Sequence, residues 1–293
     1  MQKSNHNIKT ACITGTVAKA ADRYAMDVMG LNSLTLMETA SSKIAEYVMR
    51  HDPLNGGDFQ HPEESIAASR DDGNDSECPE KTESKGRTLK ISVLCGVGNN
   101  GADGVCASRM LLGEGYQPQV YIVGNLEKAS WEFLYQLCHF QQAGGTATMY
   151  RPDVDTAIAN AGEAAVMAVH PDSDTAADDA SPFRANRLPD DDILIDGIFG
   201  IGLHREIAGD YRTFIEEANR RRHGFVLAID APSGINTDTG ELMGCGIKAD
   251  VTITFGRNKT GLVCGTGRNF AGRVLVEDIG IPDEAYDEAE KHA

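Results

Sequence analysis

The chain has 293 residues, 27 of them Lys or Arg and 44 Asp or Glu, for a formal net charge of −17. Such a surface repels a phosphate backbone, which excludes nucleic acid and an anionic membrane as the main partner. Hydrophobic residues make up 41% of the chain, enough for a sizeable core. No apolar run approaches the roughly 20 residues of a bilayer-spanning helix, and the polar start, residues 1–10, lacks the apolar core of a secretory signal. The seven cysteines are odd in number and form no CxxC pair, so neither a disulfide framework nor a zinc site is expected. A reducing cytoplasm fits that usage.

In chain order, Val17–Met29 and Leu34–Met49 carry apolar residues at helical spacing, with Gly30 ending the first and Asn32 or Ser33 capping the second. The pair is expected to pack on a core. Residues 51–88 then hold ten acidic residues against four basic ones among Ser, Gly and Pro, and read as a disordered acidic insertion. From Leu89 strands and helices alternate. Leu89–Cys95 is a strand, Gly104–Leu112 a helix, Gln119–Val123 a strand, and Lys128–Gln142 a helix with the single tryptophan, Trp131. An Ala-rich helix follows over 152–169, and then a second acidic insertion over 170–192. Ile193–Ile195 and Phe225–Ile229 are strands ending in Asp196 and Asp230, with a helix over Tyr211–Arg222 between them. Val251–Phe255 and Val274–Val276 are late strands. Continuous apolar strands alternating with helices predict a single α/β domain over 1–293, a Rossmann-like three-layer α/β/α arrangement with a mainly parallel central sheet and an N-terminal helical pair.

In an open parallel sheet, ligands bind beyond the carboxyl ends of the strands. Three strand-end loops there carry glycine together with oxygen-bearing side chains. The first, Gly96 to Gly104, allows close backbone approach to a ligand and leads into a helix whose amides can hold an anion. It is not a Walker A loop, and although Gly96, Gly98 and Gly101 match a GxGxxG spacing, a lone match of that kind is weak evidence. The acidic residue that a dinucleotide oxidoreductase places about 20 residues further on is missing. The second loop, Asp196 to Leu203, starts with a carboxylate that ends a strand. The third, Asp230-Ala231-Pro232-Ser233-Gly234, does the same and is stiffened by Pro232. Asn100, Asp196 and Ser233 together offer an amide oxygen, a carboxylate and a hydroxyl, hard ligands suited to an alkali or alkaline-earth ion. Asp230 is then free for acid–base work, with Asp103 as the rival at a helix start, where capping is its ordinary role. No Ser-His-Asp arrangement fits. His204 is the only histidine near one of these loops, and from position alone it reads as a surface residue.

The residues resemble a known family. Gly98-Asn99-Asn100-Gly101-Ala102-Asp103-Gly104 is similar to the GNNGGDG loop of the YjeF N-terminal family, Asp196 to Leu203 to its DxxFGxGL segment, and Asp230 to Gly234 with Thr239-Gly240 to its DxPSGxxxxTG segment. Lys248-Ala249-Asp250, Phe255-Gly256, Lys259 and Gly261 resemble its KAD…TFG…KxG stretch. Asp278 to Pro282 resembles its closing DIGIP, and Met37-Glu38 its LMExA helix. The chain departs at Val97, Ala102 and Ile201, where the family carries Pro, Gly and Thr; Ile201 removes one hydroxyl from the phosphate's surroundings. The resemblance implies an NAD(P)H-hydrate epimerase, an isomerase that interconverts the R and S forms of hydrated NADH and NADPH for nucleotide repair. It implies that Asn99, Asn100, Gly101, Ala102, Asp103, Gly200, Ile201, Gly202, Leu203, His204, Arg205, Glu206 and Asp230 contact the hydrated nucleotide. It further implies one potassium ion (K+) per subunit on Asn100, Asp196 and Ser233, a homodimer, and a working link to a separate or fused NAD(P)H-hydrate dehydratase. Some relatives of this fold are catalytically silent binding or dimerisation scaffolds, including a domain of an mRNA-decapping enhancer. The intact Asn99-Asn100 loop and Asp230 favour the enzyme.

Overall fold

The computed structural model of the protein describes residues 12–59, 88–151, 184–185 and 188–292. The strands among them are β1 (Ile91–Cys95), β2 (Gln119–Ile122), β3 (Thr146–Tyr150), β4 (Arg184–Ala185), β5 (Asp191–Gly197), β6 (His223–Ile229), β7 (Val251–Phe255) and β8 (Arg273–Glu277). They form one 8-stranded sheet in the order β4-β3-β2-β1-β5-β6-β7-β8, parallel throughout. The helices are α1 (Gly15–Asp27), α2 (Ser33–His51), α3 (Asn99–Gly113), α4 (Trp131–Gln142), α5 (Gly209–Asn219), the short α6 (Thr260–Val263) and α7 (Gly267–Phe270), and α8 (Asp283–His292).

The central strands are apolar because both faces are covered. Every residue of β1 is buried. Side chains alternate across a strand, so Ile91, Val93 and Cys95 join one core with Ile44, Val48, Val105 and Phe133, while Leu94 and Leu194 join another with Phe214, Ile215 and Ala218. The chain steps outward from β1 to β4, then returns to the other flank of β1 with β5. That reversal leaves a crevice between the carboxyl ends of β1 and β5, where Leu94 lies beside Asp196 and Cys95 beside Gly197.

Several expected elements shift. Asn32 caps α2, its Oδ1 accepting from the amides of Leu34 at 2.9 Å and Thr35 at 3.2 Å. The two N-terminal helices bury most of their apolar residues in different cores: Val17, Ala21 and Ala25 of α1 pack on Ala285, Tyr286 and Ala289 of α8, a helix not anticipated from sequence, with Leu36 of α2 at its edge, while Ile44 and Val48 of α2 pack on the sheet. α3 begins at Asn99 rather than Gly104, so the Asn-Asn loop is itself the first helical turn. Strands β3 and β4 were also not anticipated. The first acidic insertion is shorter than 51–88, because Asp52 is buried and caps a 3₁₀ turn over Pro53–Asn55, while Phe59 packs on Phe225 with ring centroids 5.0 Å apart. The second, expected over 170–192, yields residues 184–185 to β4, buried Leu188 to a core, and its last two residues to β5. The rest of both insertions and the expected helix over 152–169 lie outside the described residues. No helix among the described residues is long and apolar enough to cross a membrane.

Candidate active site

The three glycine-rich loops converge at the carboxyl ends of β1, β5 and β6, and α1 and α2 close over them. A cleft of about 660 Å³ opens between. Asp22, Lys19 and Arg23 line it from α1, Leu36 and Met37 from α2, Asn99, Asn100 and Asp103 from α3, and Phe199 to Leu203 from the loop after β5. Asp230, Lys259 and Tyr286 also line it.

Asp230 sits in the left-handed region, φ 63°, the only non-glycine residue with positive φ among those described. The Ala231 amide donates back to the Ile229 carbonyl at 2.7 Å, a three-residue turn that holds this uncommon conformation. Its Oδ1 accepts from Lys259 Nζ at 2.7 Å and from Thr254 Oγ1 at 3.1 Å. The Lys259 ammonium also donates to Thr254 Oγ1 and the Phe255 carbonyl, each at 2.8 Å, so all three of its donors are used although the residue is only 2% exposed. Oδ2 of Asp230 is left toward the loop after β5. A Cβ on Gly200 would stand 3.2 Å from that Oδ2 and 2.9 Å from Asn100 Oδ1. Only glycine leaves this approach to Asp230 and Asn100 open.

Two further carboxylates face the same cleft. Burial pushes Asp22 up to about 6, against the lowering pull of Lys259. Burial, with the charges of Asp230 and Asp22, raises Asp103 well above the usual carboxylate range. Asp103 does not cap α3, whose N-cap is Gly98; it lies in the second turn with its side chain toward the cleft. The α3 N-terminus has no side-chain cap, so its first amides are free for an anion.

Of the candidate ion ligands, Asn100 belongs to the lining, and Asp196 and Ser233 lie outside it, both buried. Asp196 is fully enclosed; its Oδ2 accepts from the Ser233 amide at 2.7 Å and its Oδ1 from Ser233 Oγ at 2.6 Å. Ser233 Oγ accepts in turn from the Phe199 amide at 2.9 Å. Burial raises Asp196 to about 6 despite these hydrogen bonds, and among the described residues no Lys, Arg or His pairs with it. Asn100 Nδ2 is buried without a partner. An enclosed carboxylate with no cation, beside a hydroxyl, suits a large monovalent cation with oxygen ligands, to which Asn100 would turn its Oδ1.

The structure therefore brings together Asn99, Asn100, Asp103, Gly200, Ile201, Gly202, Leu203 and Asp230. Gly101 and Ala102 are buried inside α3 and do not line the cleft. Gly101 serves packing: a Cβ there would be 1.8 Å from the Gly96 carbonyl oxygen. His204, Arg205 and Glu206 are exposed and outside the lining. Lys259 and Asp22 were not anticipated as site residues. Asp22 carried a readable signal, since it interrupts the apolar stripe Ala18, Ala21, Ala25 on one helical face.

A family model described as YjeF-related protein N-terminus matches residues 33–261. A protein of Limosilactobacillus fermentum (strain NBRC 3956 / LMG 18251) named NAD(P)H-hydrate epimerase is 34% identical over 268 residues, covering 91% of this chain and 95% of that one. A protein of Oenococcus oeni (strain ATCC BAA-331 / PSU-1) with the same name is 33% identical over 205 residues, 70% of this chain and 81% of its own. The crystal structure of the yeast protein ynu0 (YNL200c) superposes with a TM-score of 0.62 at 17% identity, covering 95% of this chain and 93% of that one, which shows the shared fold.

Proposed function

The chain belongs to the YjeF N-terminal family, and from that membership and the cleft we propose that it is an NAD(P)H-hydrate epimerase, interconverting the R and S forms of hydrated NADH and NADPH. The observation that carries the reading is Asp230. Its Oδ1 is locked by Lys259 and Thr254, and its Oδ2 faces the cleft over Gly200. The hydrated ring is a carbinolamine at C6. To change hand, it must open or lose its hydroxyl and then re-form on the other face, and either route moves a proton on and off oxygen. A carboxylate held in place by an enclosed ammonium is suited to accept that proton.

The remaining cleft residues bind and orient. The free amides at the start of α3, from Asn99 and Asn100 onward, suit the pyrophosphate of a dinucleotide, with Lys19 and Arg23 as cations on the α1 side. Gly200, Ile201, Gly202 and Leu203 offer backbone and apolar contact to the ring. His204, Arg205 and Glu206, exposed beyond the lining, would meet only a distal part of the nucleotide. Asn100, Asp196 and Ser233 would hold potassium, which would supply the positive charge that enclosed Asp196 lacks. A homodimer, a cytoplasmic setting and a dehydratase that acts on one epimer rest on the family resemblance.

The test uses separated R and S epimers of hydrated NADH, followed by chromatography. Equilibration well above the buffer rate is expected. Equilibration at the buffer rate overturns the reading.

A further inference from the structure

We propose that Asp22 is a second catalytic residue, exchanging a proton with the C6 oxygen from the α1 side of the cleft while Asp230 acts from the sheet side. The inference rests on the epimerase reading and adds to it a group that reading does not require. Inverting C6 means that oxygen departs from one face of the ring and arrives on the other. One carboxylate at the end of β6 serves one face. The opposite face needs a proton-handling group on another element, and α1 brings Asp22 into the same cleft, within electrostatic reach of Lys259 and Asp230.

Three structural observations support the assignment. Among the described residues nothing hydrogen-bonds or pairs with the Asp22 carboxylate, although it lies in an apolar stripe between Ala18 and Ala25. Leaving an acid unpaired in such a place is unfavourable for stability, and exposed alternatives lie one helical step away. Second, α1 is tied to the segment that carries Lys259: the Ile13 amide donates to the Asn258 carbonyl at 2.9 Å and the Thr260 amide to the Ile13 carbonyl at 2.7 Å. One stitch therefore sets Asp22 relative to Lys259 and, through it, to Asp230. Third, the groups facing Asp22 are Lys259, Asp230, Asp103 and Tyr286, with Lys19 and Arg23 on its own helix. Within this set Asp230 takes the ammonium, which leaves Asp22 and Asp103 as the carboxylates that hold a proton, Asp22 on α1 and Asp103 on α3. Burial raises Asp22 to about 6, which keeps a proton exchangeable near neutral pH.

In one direction Asp22 gives its proton to the C6 hydroxyl. The C6–O bond breaks, its electron pair leaves with water, and the N1 lone pair forms the C6=N1 iminium. Solvent water adds to the opposite face, the new C6–O bond forms, the π pair returns to N1, and Asp230 takes the released proton. One proton has passed from Asp22 to Asp230, and the reverse turnover or exchange with solvent restores it. The active form is thus the pair holding one proton between them, so the pH–rate profile is a bell that is the same in both directions. Its alkaline limb reports the loss of that proton.

The experiment compares wild type, Asp22→Asn, Asp22→Glu and Asp103→Asn on separated epimers between about pH 5 and pH 9. Asp22→Asn is expected to lose about 10²–10⁴-fold in kcat with KM changed only a few-fold, and to lose the alkaline limb. Asp22→Glu is expected to regain part of the rate, with the limb displaced. Asp22→Asn at the wild-type rate with an intact limb overturns the proposal while the epimerase reading stands. A limb abolished by Asp103→Asn but kept by Asp22→Asn overturns it in favour of Asp103. Should Asp22→Asn fail to fold, as thermal melting would show, Asp22→Glu decides: wild-type rate with an undisplaced limb overturns. A wild-type protein no faster than buffer overturns both the reading and this inference.

Discussion

Lys259 Nζ lies 2.7 Å from Asp230 Oδ1, an ion pair that joins the turn after β7 to the turn after β6 beneath the cleft. Both side chains are largely enclosed, at 2% and 11% exposure. Charges withdrawn from water are costly singly and tolerable as a fully hydrogen-bonded pair. Each therefore holds the other in place.

Lys259→Met is expected to destabilise the protein by about 3–5 kcal/mol, because it leaves a largely enclosed carboxylate without its cation. Epimerisation should fall with it, since Lys259 no longer holds the Asp230 carboxylate in place. Urea titration of the variant would measure the loss. A change below about 0.5 kcal/mol, the level of an ordinary surface substitution, would show that the pair is not structural.

Asp230→Asn should keep the fold, since asparagine tolerates the left-handed region better than most residues. Hydrogen bonds from Lys259 and Thr254 to the amide oxygen survive. The proton acceptor does not, so the epimerisation rate should drop about 10²–10⁴-fold with nucleotide affinity largely kept. A wild-type rate in this variant would remove Asp230 from the chemistry.

Gly200→Ala places a methyl 2.9 Å from Asn100 Oδ1 and 3.2 Å from Asp230 Oδ2. The loop is partly exposed and can shift, so melting should change little. Activity should fall by at least about 10-fold, because misplacing a reacting group even slightly is expensive. Unchanged kinetics would mean the substrate approaches Asp230 from elsewhere.

Asp196→Asn removes the only formal charge among the proposed potassium ligands. Wild-type activity should drop when potassium is replaced by choline, and the variant's lower activity should be indifferent to the exchange. Equal wild-type rates in both buffers would argue that no functional ion sits there.

At the far end of the sheet His223 Nδ1 and Asp191 Oδ1 are 2.8 Å apart, and His223 Nε2 meets the Ala218 carbonyl at 2.8 Å. Burial works to lower the His223 pKa, but the hydrogen bond and charge of Asp191 outweigh it, and the imidazole titrates above its usual 6.5. A group whose folded pKa is raised contributes stability that is fully present below the unfolded value and is lost as pH rises through the folded one. The stability gap between wild type and His223→Gln should thus be largest near pH 6, where the imidazolium–Asp191 pair is intact, and shrink toward pH 9. A gap that widens with pH would reverse the assignment.

Much of the architecture was legible because it rests on local chemistry. Apolar runs such as Ile91–Cys95 and Phe225–Ile229 can exist only where both faces of a strand are covered, which implies a parallel sheet between helices. Glycine beside Asn or Asp at three strand ends marks loops that approach a ligand, and Asp230, Asn100 and Gly200 do meet at one cleft. Boundaries were less legible. Thr146–Tyr150 is short and near the sheet edge, and α8 carries only Ala285, Tyr286 and Ala289 as its buried face, too faint a stripe to stand out.

The partners of the reacting groups were beyond sequence. Nothing local says that Lys259 turns inward to Asp230, since an isolated lysine is ordinarily solvated; the parallel pairing of β6 with β7 brings the two together. Nor does α1 announce that Asp22 faces Asp230. That follows from α8 packing on the Val17, Ala21 and Ala25 side of α1, with Tyr286 beside Asp22 in the cleft, and from Ile13 hydrogen-bonding into the Lys259 segment. Strand and loop identity depends on neighbours within a few residues. The charge state of a carboxylate depends on which distant groups share its enclosure, and only the packed fold chooses them.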